Sequence, residues 1–212
     1  MAVPDNNTIY YLPGHGGQLA TGLGQGLMDR GFDVTGRETR GDFRVLSFDE
    51  QVQTIVDDLQ SHFWHEQAHV VCNSFGSYLF LHAQAKMPSF VGRVLLLSPI
   101  VGEFTCEQTR SSFSPPRPDR LKILAECGQF NAPASCEIHV GEEDWQSIPA
   151  NVQAFARLTG IPVTVVPNAG HDLGKAYVGP LLDRWLANAY RVPRPTPVCT
   201  STPILHNAVS SR

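Results

Sequence analysis

The sequence predicts an α/β protein with a mostly parallel sheet, and three observations support this fold class. Short apolar runs bounded by turn residues alternate along the chain with longer segments of helical periodicity. Runs such as RVLLLS (93–98) and VTVVP (163–167) are apolar at consecutive positions, which is typical of strands covered on both faces. The length of 212 residues suits one domain with a substantial core. We therefore expect about six strands flanked by helices.

Each predicted element rests on its own stretch of sequence. A strand is assigned to each short apolar run between turn residues, and a helix to each longer segment with apolar residues three and four positions apart. In chain order the strands are TIYYL (8–12), DVT (33–35), HVVC (69–72), RVLLLS (93–98), EIHV (137–140) and VTVV (163–166). The helices are predicted at 19–30, 49–63, 75–86, 148–159 and 173–190.

Two segments depart from this alternation. Residues 103–134 contain a Ser/Pro-rich stretch and one short helix, too long for an ordinary connection, so we predict a small lid-like insertion whose Phe104, Phe113 and Phe130 could contact a substrate. The prolines and small polar residues of 191–212 cannot continue a helix and predict a flexible or wrapping tail. The expected domain is residues 1–190.

Composition excludes several function classes. The net charge is −4, and the 16 Lys and Arg residues are scattered, so a nucleic-acid partner is not expected. No segment approaches the ~20 apolar residues of a membrane span, and the first residues lack the pattern of a secretion signal, so we expect a cytoplasmic protein with no membrane partner. Five cysteines without paired spacing argue against a disulfide framework.

The loops after four of the predicted strands contain the residues of interest. In an open parallel sheet, ligands bind beyond the carboxyl ends of the strands. These loops hold Pro13–Gly17, Asn73–Gly76, Gly141–Asp144 and Asn168–Asp172. They supply, along the chain, backbone amides, a hydroxyl, an acid and an imidazole, which are the groups of an acyl-transfer site.

These loops resemble those of the α/β-hydrolase superfamily, over about residues 8–190. CNSFG (72–76) resembles the family's Gly-x-Ser-x-Gly nucleophile elbow, although Cys72 replaces the first glycine. VGEEDWQSIP (140–149) resembles the family's acid segment, VPNAGHDL (166–173) its histidine segment, and YYLPGHGG (10–17) its glycine-rich loop after the first strand. The resemblance implies the α/β-hydrolase fold with a short lid.

The resemblance also implies the catalytic residues. Ser74 would be the nucleophile, His171 the general base and Asp144 the acid that orients the imidazole, although Glu142 and Glu143 lie in the same loop. A serine in this position could instead cap the helix that follows it.

The same resemblance assigns the oxyanion-binding and substrate-binding residues. The amides of His15 and Phe75 would bind the developing oxyanion, within a loop that also contains Gly14 and Gly16. The amide of Phe75 would lie at a helix N-terminus, where the helix dipole favours negative charge.

The sequence thus predicts a serine hydrolase that cleaves a small carboxylic ester or thioester without metal or organic cofactor. An amidase or acyltransferase would use the same groups, and a hydrolase-like binding or scaffold protein is the alternative from another class. HEQAH (65–69) matches the His-Glu-x-x-His zinc pattern, but His69 belongs to a predicted strand, so the two histidines should not share a helical face. The oligomeric state is not predicted.

Overall fold

Six strands form one open sheet in which every neighbouring pair is parallel. The structure is a computed structural model that describes residues 7–106, 111–113 and 115–187. The strands in this part of the chain are β1 Thr8–Leu12, β2 Asp33–Gly36, β3 His69–Asn73, β4 Arg93–Leu97, β5 Phe104–Cys106, β6 Ser111–Phe113, β7 Ser135–Gly141 and β8 Val163–Val166. The sheet has the order β2-β1-β3-β4-β7-β8, and β5 and β6 form a separate antiparallel pair. The predicted fold class, with six parallel strands, is confirmed.

Helices connect and cover the strands. Those in the described residues are α1 Leu23–Met28, α2 Gly41–Val45, α3 Phe48–His62, α4 Phe75–Gln84, α5 Arg120–Glu126, α6 Pro149–Thr159 and α7 Lys175–Ala187. No helix among them has the length and apolar composition needed to span a bilayer. The predicted tail at 191–212 lies outside the described residues.

The structure differs from the predicted elements mainly at helix boundaries. The first helix was expected from residue 19 but begins at Leu23, because Gly22 before it has a positive φ of 55°. The last begins at Lys175, after Gly174 with a φ of 76°. Helix α2 and the β5–β6 pair are not predicted by the sequence, since each element is five residues long or shorter and has no full period of apolar residues.

The two faces of the sheet carry separate hydrophobic cores. Alternate residues of a strand point to opposite faces, so Val70 and Cys72 pack with α3, α4, α5 and α6, whereas Val71 packs with α1 and α7. Coverage on both faces explains why the strand sequences are apolar at consecutive positions. Helix α4 is the most enclosed helix element near the site, because every residue from Gly76 to Gln84 is buried.

The strand order fixes where a ligand can bind. Strand β1 pairs with β2 on one side and with β3 on the other, so the chain leaves β1 in one direction and later returns to extend the sheet in the other. The strand order therefore reverses between β1 and β3, and the carboxyl ends of strands at such a point are the usual ligand site of open α/β sheets.

Candidate active site

Ser74 lies at a strained turn between β3 and α4. Its backbone has φ 52° and ψ −123°, a conformation that a non-glycine residue rarely adopts and that costs about 1–3 kcal/mol. The backbone is held by a hydrogen bond from the Ser74 amide to the carbonyl of Leu97 (2.9 Å) and by one from the Tyr78 amide to the Ser74 carbonyl (3.2 Å). Ser74 occupies the N-cap position of α4, but its side chain makes no cap hydrogen bond. The hydroxyl therefore points to other partners.

The sequence around Ser74 allows this turn because α4 begins almost in contact with β1. A Cβ atom on Gly76 would lie 2.2 Å from the carbonyl oxygen of Leu12 and 2.5 Å from that of Pro13, so only glycine fits. Cys72 is fully buried in the core on the α4 side of the sheet, and burial raises the pKa of its thiol well above the usual value. Cys72 is thus a neutral packing residue in this elbow.

His171 lies beside the Ser74 hydroxyl. Its Nε2 is 2.8 Å from Ser74 Oγ, and its Nδ1 is 3.0 Å from both carboxylate oxygens of Asp144. When Nδ1 carries the proton and donates to the carboxylate, Nε2 is free to accept the Ser74 proton. The structure therefore brings Ser74, His171 and Asp144 together in the order that the sequence predicts.

The acid loop distinguishes Asp144 from its two neighbours. The Asp144 side chain is 0% exposed, and its Oδ1 accepts hydrogen bonds from the amides of Gln146 (2.9 Å) and Ser147 (2.8 Å). Glu142 and Glu143 are exposed. The structure thus places the Asp144 carboxylate, and neither glutamate, against the imidazole.

Two serines that the sequence does not indicate connect the acid and histidine loops. Ser98, after β4, has a positive φ of 43°, and its hydroxyl donates to the backbone carbonyl of His171 at 2.9 Å. The hydroxyl of Ser147 donates to the carbonyl of Ser98, while the Ser147 amide donates to Asp144. This chain of hydrogen bonds fixes His171 and Asp144 relative to each other.

The glycine-rich loop after β1 is attached to both neighbouring strands. Asn73 Oδ1 accepts from the Gly14 amide (3.1 Å) and from the Tyr11 hydroxyl (3.0 Å), which stays protonated because burial raises its pKa. Thr39, after β2, donates its hydroxyl to the Gly14 carbonyl and accepts from the Gly16 amide through its own carbonyl (3.2 Å). The amides of Gly14 and Gly16 are therefore used within the protein, and the two glycines shape the loop. Nothing in the sequence indicates the role of Thr39.

The loop brings His15 and Phe75 together next to Ser74. A Cβ atom on Gly14 would lie 3.2 Å from Ser74 Cβ, so the loop passes directly over the turn at Ser74. The rings of His15 and Phe75 meet edge to face with centroids 5.8 Å apart. Among the described residues, none accepts a hydrogen bond from the His15 amide. The Phe75 amide is the first of α4, at the positive end of the helix dipole.

Two other sequence features take no part in this site. Helix α3 ends at His62, so His65 lies beyond the helix and His69 begins β3, where its ring packs edge to face on Trp185. In the described residues, no group of three or more His, Cys, Asp and Glu side chains is arranged to hold a metal ion. Phe130 of the insertion is buried against Phe155 in the core, so its predicted contact with substrate is wrong. The side chains of Phe104 and Phe113 lie outside the described part of the structure.

Similar structures exist, although no protein-family model and no curated protein matches the sequence. A carboxylesterase structure from the thaumarchaeon Nitrososphaera gargenis matches 89% of this chain and 93% of its own, with a TM-score of 0.59 and 12% identity. The ydeN gene product of B. subtilis matches 85% of this chain and 99% of its own, with a TM-score of 0.59 and 14% identity. Mouse alpha/beta hydrolase domain-containing protein 10 matches 88% of this chain and 92% of its own, with a TM-score of 0.60 and 12% identity.

These likenesses, at low sequence identity, define the fold. The chain has the α/β-hydrolase fold, as the resemblance of its loops implies. Function within so diverse a fold has to be argued from the site itself.

Proposed function

We propose that the protein is a serine hydrolase that cleaves a small carboxylic ester or thioester through an acyl-serine intermediate. The observation that carries the proposal is the continuous hydrogen-bonded series from Ser74 Oγ through His171 to the buried carboxylate of Asp144. It is supported by the strained backbone of Ser74, whose hydroxyl makes no helix-cap hydrogen bond and instead contacts His171 Nε2.

The reaction would begin with attack of Ser74 Oγ on the acyl carbon. His171 Nε2 takes the hydroxyl proton as the Oγ–C bond forms, and Asp144 stabilises the resulting imidazolium through Nδ1–H. The oxyanion would be bound by the amides of His15 and Phe75. Each such donor typically contributes about 10²–10³-fold to the rate.

The leaving group then departs with the proton that His171 returns. Breaking the bond between the acyl carbon and the leaving oxygen or sulfur leaves an ester on Ser74. A water molecule, deprotonated by His171, attacks this ester and releases the carboxylic acid, so that Ser74 recovers its proton. Every proton in this scheme moves through Nε2, and the scheme requires no metal or organic cofactor.

Labelling and turnover together test the proposal. A fluorophosphonate probe should label Ser74, and Ser74→Ala should lower kcat for p-nitrophenyl acetate by at least about 10⁴-fold. Ser77→Ala is the matched control, because Ser77 lies one turn further on, is fully buried, and has a hydroxyl with no hydrogen-bond partner in the described residues. This control should be labelled and active.

Three results would each change the assignment. Equal labelling of Ser74→Ala would move the nucleophile elsewhere, and a folded wild-type chain with neither labelling nor turnover would favour the binding or scaffold alternative. Faster reaction with an added alcohol, thiol or amine acceptor than with water would indicate an acyltransferase, while cleavage of anilides at rates comparable to esters would indicate an amidase.

A further inference from the structure

A cleft of about 240 Å³ opens beside the candidate oxyanion residues. One wall consists of His15 and Phe75, the other comes from α2 and the start of α3, and Pro116 of the insertion contributes to its lining. The lining residues in the described part of the chain are His15, Thr39, Phe43, Arg44, Leu46, Phe48, Gln51, Phe75 and Pro116. None of them comes from the loops that carry Asp144 and His171.

Hydrogen bonds within the protein hold this cleft open in a fixed shape. The buried Gln51 donates its side-chain amide to the carbonyls of Phe43 (3.1 Å), Arg44 (3.3 Å) and Leu46 (3.1 Å), which fastens the end of α2 to α3. On the opposite side, Thr39 holds the glycine-rich loop by the contacts described above. The cleft is therefore formed before a substrate arrives, which lowers the cost of binding.

The surface that the cleft offers to a ligand is more apolar than polar, and His15 and Arg44 contribute polar groups to it. Phe43, Leu46, Phe48 and Phe75 contribute apolar surface, while the Thr39 hydroxyl and the Gln51 NH₂ group are already used in the hydrogen bonds that hold the walls. The volume is below the range of about 300–1,000 Å³ for drug-sized ligands and above the ~150 Å³ that a cavity needs to take up benzene. A compact apolar group, such as an aromatic ring or a short acyl chain, matches this volume.

The arrangement of the site decides which half of a substrate enters the cleft. His171 must give its proton to the leaving group, so the leaving group has to lie on the side of His171 Nε2. At the tetrahedral carbon, the acyl substituent then extends away from His171. The cleft lies on the side of His15 and Phe75 and does not include His171.

On the basis of the proposed function, we infer that this cleft is the acyl pocket and that it selects esters or thioesters of compact apolar acids, aromatic or short-chain. One wall of the pocket comes from α2 and the start of α3, and the specificity-determining residues are Phe43 and Leu46 on this wall. The lid-like insertion contributes through Pro116, whereas its Phe130 is in the core.

The test is a series of p-nitrophenyl esters, so that the leaving group stays constant while the acyl group changes from acetate to butyrate, benzoate and dodecanoate. For the wild type, kcat/KM should rise by up to about tenfold from acetate to butyrate, because each buried methylene adds hydrophobic stabilisation. It should stay high for benzoate and fall for dodecanoate, which exceeds the cleft.

Two variants change the volume of the cleft in opposite directions. Leu46→Trp fills it and should lower kcat/KM for butyrate and benzoate at least tenfold more than kcat/KM for acetate. Phe43→Ala enlarges it and should move the optimum to longer acyl chains. Val45→Trp is the matched control, because Val45 precedes Leu46, is 83% exposed and does not line the cleft. It should keep the wild-type profile.

The inference is overturned if Leu46→Trp and Phe43→Ala retain the wild-type acyl profile while thermal denaturation shows that both variants are folded. It is also overturned if they alter selectivity among acetates of different alcohols instead. In both cases acetate turnover and Ser74 labelling persist, which separates this failure from failure of the proposed function. A wild-type protein with neither acetate turnover nor Ser74 labelling would refute both the proposed function and this inference.

Discussion

Replacing Asp144 with asparagine tests the mechanism through the proton on His171. Oδ1 of Asp144 accepts from the amides of Gln146 and Ser147, so the oxygen of an asparagine would take this place and its NH₂ group would face His171. Nδ1 lies 3.0 Å from both oxygens of Asp144, so it would also be next to that NH₂ group, and donation from the NH₂ group to Nδ1 would move the proton of the neutral imidazole to Nε2. The Nε2–H would donate to Ser74 Oγ, so the base that should accept the serine proton would be absent.

The expected loss is large and confined to kcat. Asp144→Asn should lower kcat by about 10⁴-fold, the effect that the equivalent tautomer change has in serine proteases, with KM close to wild type because ground-state binding does not use this proton. The two hydrogen bonds to Oδ1 survive, so the melting temperature should change by only a few degrees. Steady-state or stopped-flow hydrolysis of a p-nitrophenyl ester measures kcat and KM, and thermal denaturation measures the melting temperature.

Two neighbouring acids provide matched controls for this variant. Glu142 and Glu143 are exposed, and Glu142 accepts a hydrogen bond from the Asn168 amide at 3.1 Å. Glu142→Gln and Glu143→Gln should therefore retain kcat within about threefold, since neither reaches the imidazole. A folded Asp144→Asn enzyme with near-normal turnover would refute the reasoning, and an inactive Glu143→Gln would transfer the role to that residue.

Two further predictions concern stability. Gly76→Ala should lower the free energy of unfolding by about 1–3 kcal/mol, because the added Cβ would lie 2.2 Å from the carbonyl oxygen at the end of β1; an unchanged urea midpoint would contradict this close approach. Burial, together with the charge of Arg93, lowers the pKa of His69 to about 4, so below pH 6.5 the unfolded chain binds a proton that the folded chain does not. The protein should therefore lose about 2 kcal/mol of stability through this group between pH 7.5 and pH 5. Urea unfolding should show a smaller loss of stability between these pH values for His69→Phe than for the wild type. The control His62→Phe, at an exposed residue, should lose as much as the wild type. Equal losses in all three proteins would rule out His69 as the cause.

The sequence predicts the sheet well because each strand lies between helices. Consecutive apolar residues are required on such strands, and this signal is local, so the predicted positions at 8–12 and 163–166 match β1 and β8 residue for residue. Helix ends are less well predicted, since they depend on backbone conformations such as the positive φ of Gly22 and Gly174.

The sequence predicts those residues of the candidate site that lie in loops with a recognisable sequence motif. Ser74, Asp144 and His171 each follow a strand, and parallel strands bring such loops to one edge of the sheet. Thr39 and Ser98 act through hydrogen bonds to residues far away in the sequence, and neither lies in a motif. Contacts of this kind depend on the packed backbone, so the sequence alone does not indicate them.

The surroundings of Cys72 and Gly76 explain why only the second glycine of the Gly-x-Ser-x-Gly pattern is needed in this turn. In this fold the close approach between backbones falls on the helix side, where Gly76 meets the carbonyl oxygens of Leu12 and Pro13. On the strand side, the side chain of residue 72 points into the core beneath α4, where a small apolar group fits. A glycine there would leave that volume empty, whereas the cysteine side chain fills it. The geometry therefore requires glycine at 76 and permits a small apolar residue at 72, so the elbow keeps its strained shape with only one of the two glycines.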